Sequence, residues 1–231
     1  MDIAALLLAD SRFPGGGHVH SGGLEEVAAR GLVRTEGDLP PFLHGRLHTA
    51  GMLAAVFAAA AAHCAARGAD RWSTLDMELD ARTPSAAQRA ASRAQGRATA
   101  RAVSVVPIVD SRCGRSLRVL LSVTPRPHHA IVLGAATAAF GGAPQDAALA
   151  AAYLSVSGPA SAAVRLLGLD PLRVNGIVIA LAPGLRSVAA AAARSAGHDP
   201  ASLPAPGAPG LDLLAEEHDR HHREEVRLFA S

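Results

Sequence analysis

Histidine, arginine and carboxylate residues of this chain fall into three patterns that could carry chemistry. His18 and His20 alternate in a glycine-rich stretch. Alternate residues of an extended segment share a face, so the pair could ligate a metal. No third ligand is spaced near them, and a glycine loop does not hold the rigid geometry a resident ion needs. The reading adopted is contact with backbone or with a partner, with no resident metal or cofactor. Near the C-terminus, His218, His221, His222 and Glu225 have the spacing of one helical face. They lack the His-Glu-x-x-His order of a zinc hydrolase, so the stretch reads as a solvated amphipathic helix that orders on a partner. Arg89, Arg93, Arg97 and Arg101 recur every four residues and form one slowly rotating stripe of a helix. Like charges at that spacing repel unless acidic groups lie opposite. The stripe is therefore a solvated face or a surface matched to an acidic patch on a partner.

Nucleophilic chemistry is not expected. Ser21 lies among histidines and glycines, but Val19 breaks the Gly-x-Ser-x-Gly elbow. Cys64 and Cys113 form no C-x-x-C pair and suit a reducing compartment. A Ser, His and Asp set assembled from distant segments stays open. All 22 basic residues are arginine, which excludes P-loop nucleotide hydrolases, Schiff-base enzymes and Ser-Lys hydrolases, since each needs a lysine. A net charge of +2 with one Trp and one Tyr gives neither the field nor the stacking platform for nucleic acid.

The elements that must position these groups are helical. Hydrophobic residues make up 49% of the 231-residue chain but aromatics only 3%, so the core is built from Ala, Leu and Val. Ala has the highest helix propensity and lets helices approach closely, which favours an all-α, single-domain bundle of roughly eight to ten helices with a C-terminal tail. The expected layout is a helical domain over 1–197, a Pro/Ala/Gly linker over 198–210 and a partner-binding tail over 211–231.

Gly15 to Gly17 read as a tight loop, and Ser21 as the cap of a helix ended by Gly31. Met52 to Ala62 is apolar on every side, as in a helix surrounded by others. With His63 and so many alanines nearby it reads as buried, not as a membrane span. Asp2 stands where an export signal would carry positive charge, and a cytoplasmic location is expected. Ser73 to Arg82 reads as a helix with Leu75 and Leu79 inward and Asp76, Glu78 and Asp80 outward. Thr83-Pro84 reads as the start of the arginine helix. Leu117 to Val123 is ambiguous between strand and helix. His128 to Phe140 and Pro144 to Leu167 read as helices, the latter interrupted at Gly158-Pro159. A further helix from Pro171 to Ala196 is broken at Pro183-Gly184.

Four segments resemble the UreF family of urease accessory proteins. The first holds Ala9-Asp10-Ser11, Phe13-Pro14, Gly16-Gly17, His20-Ser21 and Gly23-Leu24-Glu25. The second is Ala91-Ser92 with Gln95-Gly96-Arg97. The third runs from Tyr153 to Leu169 and includes Ser161-Ala-Ala-Val-Arg165-Leu. The fourth is the tail, Leu211 to Ser231, with its Arg227-Leu228-Phe229. Gly15 stands where a bulkier residue is usual, and Ala230 replaces the customary last arginine. The resemblance implies an all-α protein with no enzymatic activity of its own and no cofactor. It would join UreD (also called UreH) and the GTPase UreG in a cytosolic complex delivering nickel to apo-urease.

By the same likeness the chain would dock on UreD through its N-terminal segment and tail, form a homodimer, and present a surface to the GTPase. Neither nucleic acid nor membrane is an expected partner. The implied partner-binding residues are Phe13, Pro14, His20, Arg97, Arg165, Arg227, Leu228 and Phe229. Nickel contact by the tail histidines would be transient. Arg165 could enter a partner GTPase as a trans-acting arginine, although an arginine so placed more commonly neutralises a nearby carboxylate or shields an interface rim. The alternative from another class is a cytosolic helical metalloenzyme using His18 and His20 with a remote ligand.

Overall fold

A computed structural model describes residues 3–16, 20–68, 70–106 and 111–228, with side chains to residue 221. His18 and Phe229, and the side chains of Arg227 and Leu228, lie outside the described residues. Every regular element among the described residues is helical, and twelve α-helices follow one another along the chain. Two pairs are continuous or nearly so. A single rod runs from Glu36 to Arg67, and two C-terminal helices meet at a 45° bend; counting each pair once leaves ten.

The centre is a sandwich of α4 (Met52–Arg67), α8 (His129–Ala139) and α9 (Pro144–Leu167). All residues of α8 from Ala130 to Ala139 are buried, and so is nearly all of α4 from Leu53 to Ala65. Small side chains allow this. A Cβ on Gly134 would lie 2.1 Å from the carbonyl oxygen of Ala58, so α8 touches α4 backbone to backbone. Phe57 and Trp72 fill the larger gaps at 0% and 1% exposure. The rod reaches α4 from α3 (Leu39–Arg46) through one π turn, Leu47–Gly51. That turn brings Gly51 against Ser155 of α9, leaving 2.5 Å between a Cβ there and the serine Oγ. Gly68, at φ +66, ends the rod.

By length and composition the Glu36–Arg67 and Pro144–Leu167 helices could each cross a membrane, but 67% and 56% of their apolar windows are buried within the protein. Around the sandwich pack α6 (Ala86–Ser104) and α7 (Arg112–Val123) against α8, and α11 (Ala182–Ser195) against α4 and α9. The ambiguous Leu117–Val123 run is thus helical, with Leu117 and Leu120 buried. Helix α10 (Pro171–Ala180) precedes the bend, and α1 (Ile3–Ala9) lies on α9.

Several local expectations need correction. Helix α2 (Leu24–Ala29) starts from Gly23 at φ +92 with no side-chain cap; Ser21 offers only its carbonyl, to the Leu24 N–H. Helix α6 starts at Ala86, not at Thr83-Pro84. Ser85 Oγ caps it by accepting from Gln88 N at 3.1 Å, while Thr83 Oγ1 donates to Leu79 and closes α5 (Trp72–Ala81). Asp76 of α5 is buried, not outward. Pro159 does not break α9, which is unbroken from Pro144 to Leu167. Proline removes the amide that would bond Ser155 four residues back, and Arg46 Nε donates to that carbonyl instead at 2.8 Å.

Residues 198–210 carry a short 3-10 turn, Pro200–Ser202, and bury Pro200 and Leu203. The last helix, α12 (Pro209–Leu228), lies along α2 and α6.

Candidate partner-binding site

A cavity of about 980 Å³ lies beneath α12. Its walls come from all four of the segments that carry the resemblance: Phe13 and His20 of the N-terminal loop, Ser92 and Gln95 of α6, Tyr153 and Arg165 of α9, and Leu211 and His218 of α12. Residues up to about 200 positions apart therefore meet on one space. The cavity brings Phe13, His20 and Arg165 together. Phe13 packs on the core, Pro14 is exposed, His20 is half-buried and Arg165 stands exposed at the rim. Arg97 faces elsewhere, half-buried, with its Nη1 enclosed and lacking a hydrogen-bond partner among the described residues.

At one wall Ser92 and His128 line the cavity, and Asp80 meets His128 behind them in sequence-distant contact. His128 Nε2 lies 2.8 Å from Asp80 Oδ1 and its Nδ1 lies 2.9 Å from Ser92 Oγ. Burial holds the His128 imidazole below its usual pKa, so it is neutral. Burial would raise Asp80, but the bonds from His128 and Arg93 outweigh it and keep the carboxyl below its ordinary range. With an ionised carboxylate as acceptor, Nε2 carries the proton and Nδ1 accepts from the serine hydroxyl.

This set is a knot, not a nucleophile. Arg93 Nη2 clamps Asp76 at 2.8 Å and Asp80 at 2.9 Å, supplying a full positive charge where a catalytic aspartate would stabilise imidazolium. Asp76 Oδ1 accepts from the His128 backbone N–H at 2.9 Å, and the imidazole is only 1% exposed. Ser92 Oγ also accepts from the His129 N–H at 3.3 Å. The knot ties α5, α6 and α8. The Ala-Ser-x-x-Gln-Gly-Arg segment builds it twice over, because a Cβ on Gly96 would fall 1.9 Å from the Pro127 carbonyl oxygen. Only glycine lets Pro127-His128 reach Ser92.

The arginine stripe resolves in the same place. Arg93 finds its acidic groups within this chain, and Arg89 Nη1 donates to the Thr83 and Pro84 carbonyls at 2.7 and 2.8 Å. Arg101 stays exposed. On the opposite wall Arg46 donates to the Ser155 and Gly22 carbonyls, at 2.8 and 2.6 Å. Burial lowers its pKa to about 10. His129 projects between the walls, and burial, reinforced by the nearby charge of His20, lowers it to about 4.

Helix α12 closes the cavity through polar contacts. Glu216 Oε1 accepts from Ser85 Oγ at 2.6 Å and from the Ala87 N–H at 3.0 Å, and Gln88 Nε2 donates to Asp212 at 3.1 Å. At the other edge Arg30 bonds Glu26 through Nε at 2.8 Å and Glu217 through Nη2 at 2.5 Å. Sequence reading missed Arg46, Glu26, Asp76 and His128 as members of this region, because each is defined by a partner on another helix. Pro159 was the one legible signal: it announces a carbonyl in need of a donor.

Comparison with known proteins agrees with the segment likeness over nearly the whole length. A family model described as UreF matches residues 33–182. The urease accessory protein UreF of Mycobacterium sp. (strain JLS) is 44% identical over 236 residues, covering 98% of this chain and 97% of that protein. That of Mycolicibacterium vanbaalenii is 42% identical over 226 residues, with the same coverage. That of Mycobacterium tuberculosis (strain ATCC 25618 / H37Rv) is 42% identical over 222 residues, covering 96% of each chain.

Proposed function

Because this chain belongs to the UreF family, a family of urease accessory proteins and not of enzymes, we propose that it serves urease maturation as a scaffold bridging UreD (UreH) and the GTPase UreG. In that role it modulates GTP-dependent incorporation of nickel into apo-urease, acting as a homodimer in the cytoplasm. The observation that carries the reading is the convergence of the four family-like segments on one cavity. A binding face assembled from four stretches of sequence, with no competent nucleophile on its walls, suits recognition of protein surfaces. Three of the groups that the likeness assigns to partners, Phe13, His20 and Arg165, line that cavity.

The test is co-expression with UreD and UreG followed by pull-down. Deleting residues 224–231 is expected to abolish co-purification with UreD while the helical circular dichroism stays intact. Retained binding by the shortened chain would remove the tail from the docking surface. The metalloenzyme alternative predicts tight stoichiometric metal with hydrolytic activity in the isolated protein, which metal analysis and a hydrolase screen would reveal.

A further inference from the structure

Arg46, on the cavity wall, carries a charge that no described carboxylate neutralises. Its Nε and Nη1 donate to the Ser155 and Gly22 carbonyls at 2.8 and 2.6 Å. A carbonyl needs a donor, not a cation, and a neutral amide side chain would serve it as well. The guanidinium stays cationic at neutral pH even with its pKa lowered to about 10. Two carbonyl dipoles offset only part of the cost of holding such a charge away from water. Three carboxylates of the same cavity are engaged elsewhere: Asp10 with Arg12 at 2.8 Å, Glu25 with His218 at 3.8 Å and Glu26 with Arg30 at 2.8 Å.

The guanidinium is also held ready. A Cβ on Gly22, which has φ +63, would lie 2.9 Å from Arg46 Cζ and 3.0 Å from its Nη2, so glycine is what lets the loop backbone press on the fork. The two carbonyls anchor it from α9 and from the N-terminal loop. Nη2 finds no acceptor among the described residues, and its hydrogens are left for a ligand. Ser21 and Ser157 line the same cavity, one beside Gly22 in the chain and the other two residues beyond Ser155. Neither hydroxyl bonds another described residue, so both can donate. A fixed guanidinium fork with hydroxyl donors in the same cavity suits a carboxylate.

We propose that Arg46, with Ser21 and Ser157, forms a binding site for a small planar carboxylate inside the cavity. Nη2 donates to one carboxylate oxygen and the serine hydroxyls to the other, and the bound charge neutralises the guanidinium where α3, α9 and the N-terminal loop meet. The contacts of α12 with Ser85 and Gln88 favour a small solute over a side chain of a docked protein, which would need that helix to lift. The site rests on groups of this chain alone, so its failure would leave the proposed partners untouched.

The experiment is saturation-transfer NMR on the full-length, tag-free protein at pH 7.5, read on the single carbon-bound proton of formate, with sodium chloride holding the ionic strength constant. Transfer should saturate with formate concentration, and acetate put in place of chloride should displace it. Affinity should fall at least about tenfold in Arg46→Lys, which keeps a charge but loses the fork, and about threefold in S21A/S157A, which removes two donors that hold no other described group. Arg101→Gln, at an exposed arginine of α6, should bind formate as the native chain does. Formate should also raise the thermal midpoint of the native chain above its value in equal chloride, as a ligand of the folded state must. Absence of transfer in the native chain, or no competition by acetate, would overturn the site. So would a loss in Arg101→Gln, which would put the anion on the outer surface. Should Arg46→Lys not fold by circular dichroism, S21A/S157A decides alone, and unchanged affinity there overturns the site.

Discussion

The α4–α8 interface and the seam under α12 solve the same problem, joining distant helices, by opposite means. In the first, Gly134 and the alanines of both helices bring backbone to backbone, with hardly a polar side chain present. Its stability is apolar contact, dense and indifferent to pH or salt. In the second, Glu216, Asp212 and Glu217 reach across to Ser85, Gln88 and Arg30, and among the described side chains of α12 only Leu214 joins the core cluster. Hydrogen bonds of that kind exchange with water at small net gain. The contrast separates a body that must not come apart from a cover that can.

The largest effect should come from the body. Gly134→Ala places a methyl group where the Ala58 carbonyl already sits, and neither helix can yield alone; a loss of about 3 kcal/mol in urea unfolding is expected. A loss below about 1 kcal/mol would mean that α4 and α8 are more loosely joined than their backbones indicate. Next comes the cover. Glu216→Ala should cost about 1 kcal/mol and appear chiefly as faster protease cleavage of the 204–208 connection, since α12 opens locally. If it shifted the urea midpoint as far as Gly134→Ala, α12 would belong to the body and the distinction would fail.

The same contrast governs what could be read without coordinates. Helix α4 was legible because residues apolar on every side have one explanation, and the end of α2 at Gly31, at φ +67, because a left-handed end favours glycine. The body is written in local pattern. The seam is not: Asp76 and Glu26 look like ordinary outward acids until Arg93 and Arg30 are brought to them from other turns and helices. Ser92 and Gly96 were visible as parts of a motif, but the sequence held no sign that one bonds His128 while the other makes room for it. The tail was readable as an amphipathic helix, yet its docking on α6 depends on Glu216 reaching Ser85 across 131 residues.

The smallest effect lies between the two regions, at His129, which belongs to a helix of the body and faces the cavity under the cover. Its pKa is about 4 in the folded protein and about 6.5 in an unfolded chain. Between those values the unfolded state binds more protons, so the stabilisation from a neutral His129 is complete above about pH 6.5 and is lost as pH falls toward 4. At pH 6 the loss is under about 1 kcal/mol. Asp80 and Glu26, whose pKa values are lowered, keep their contributions through this window and lose them only at more acidic pH. Urea midpoints at pH 7.5 and 6 should therefore differ more for the native chain than for His129→Gln, which cannot take up the proton. Equal differences would show that water reaches His129 freely, and that α12 covers the cavity less closely than its contacts with Ser85 and Arg30 imply.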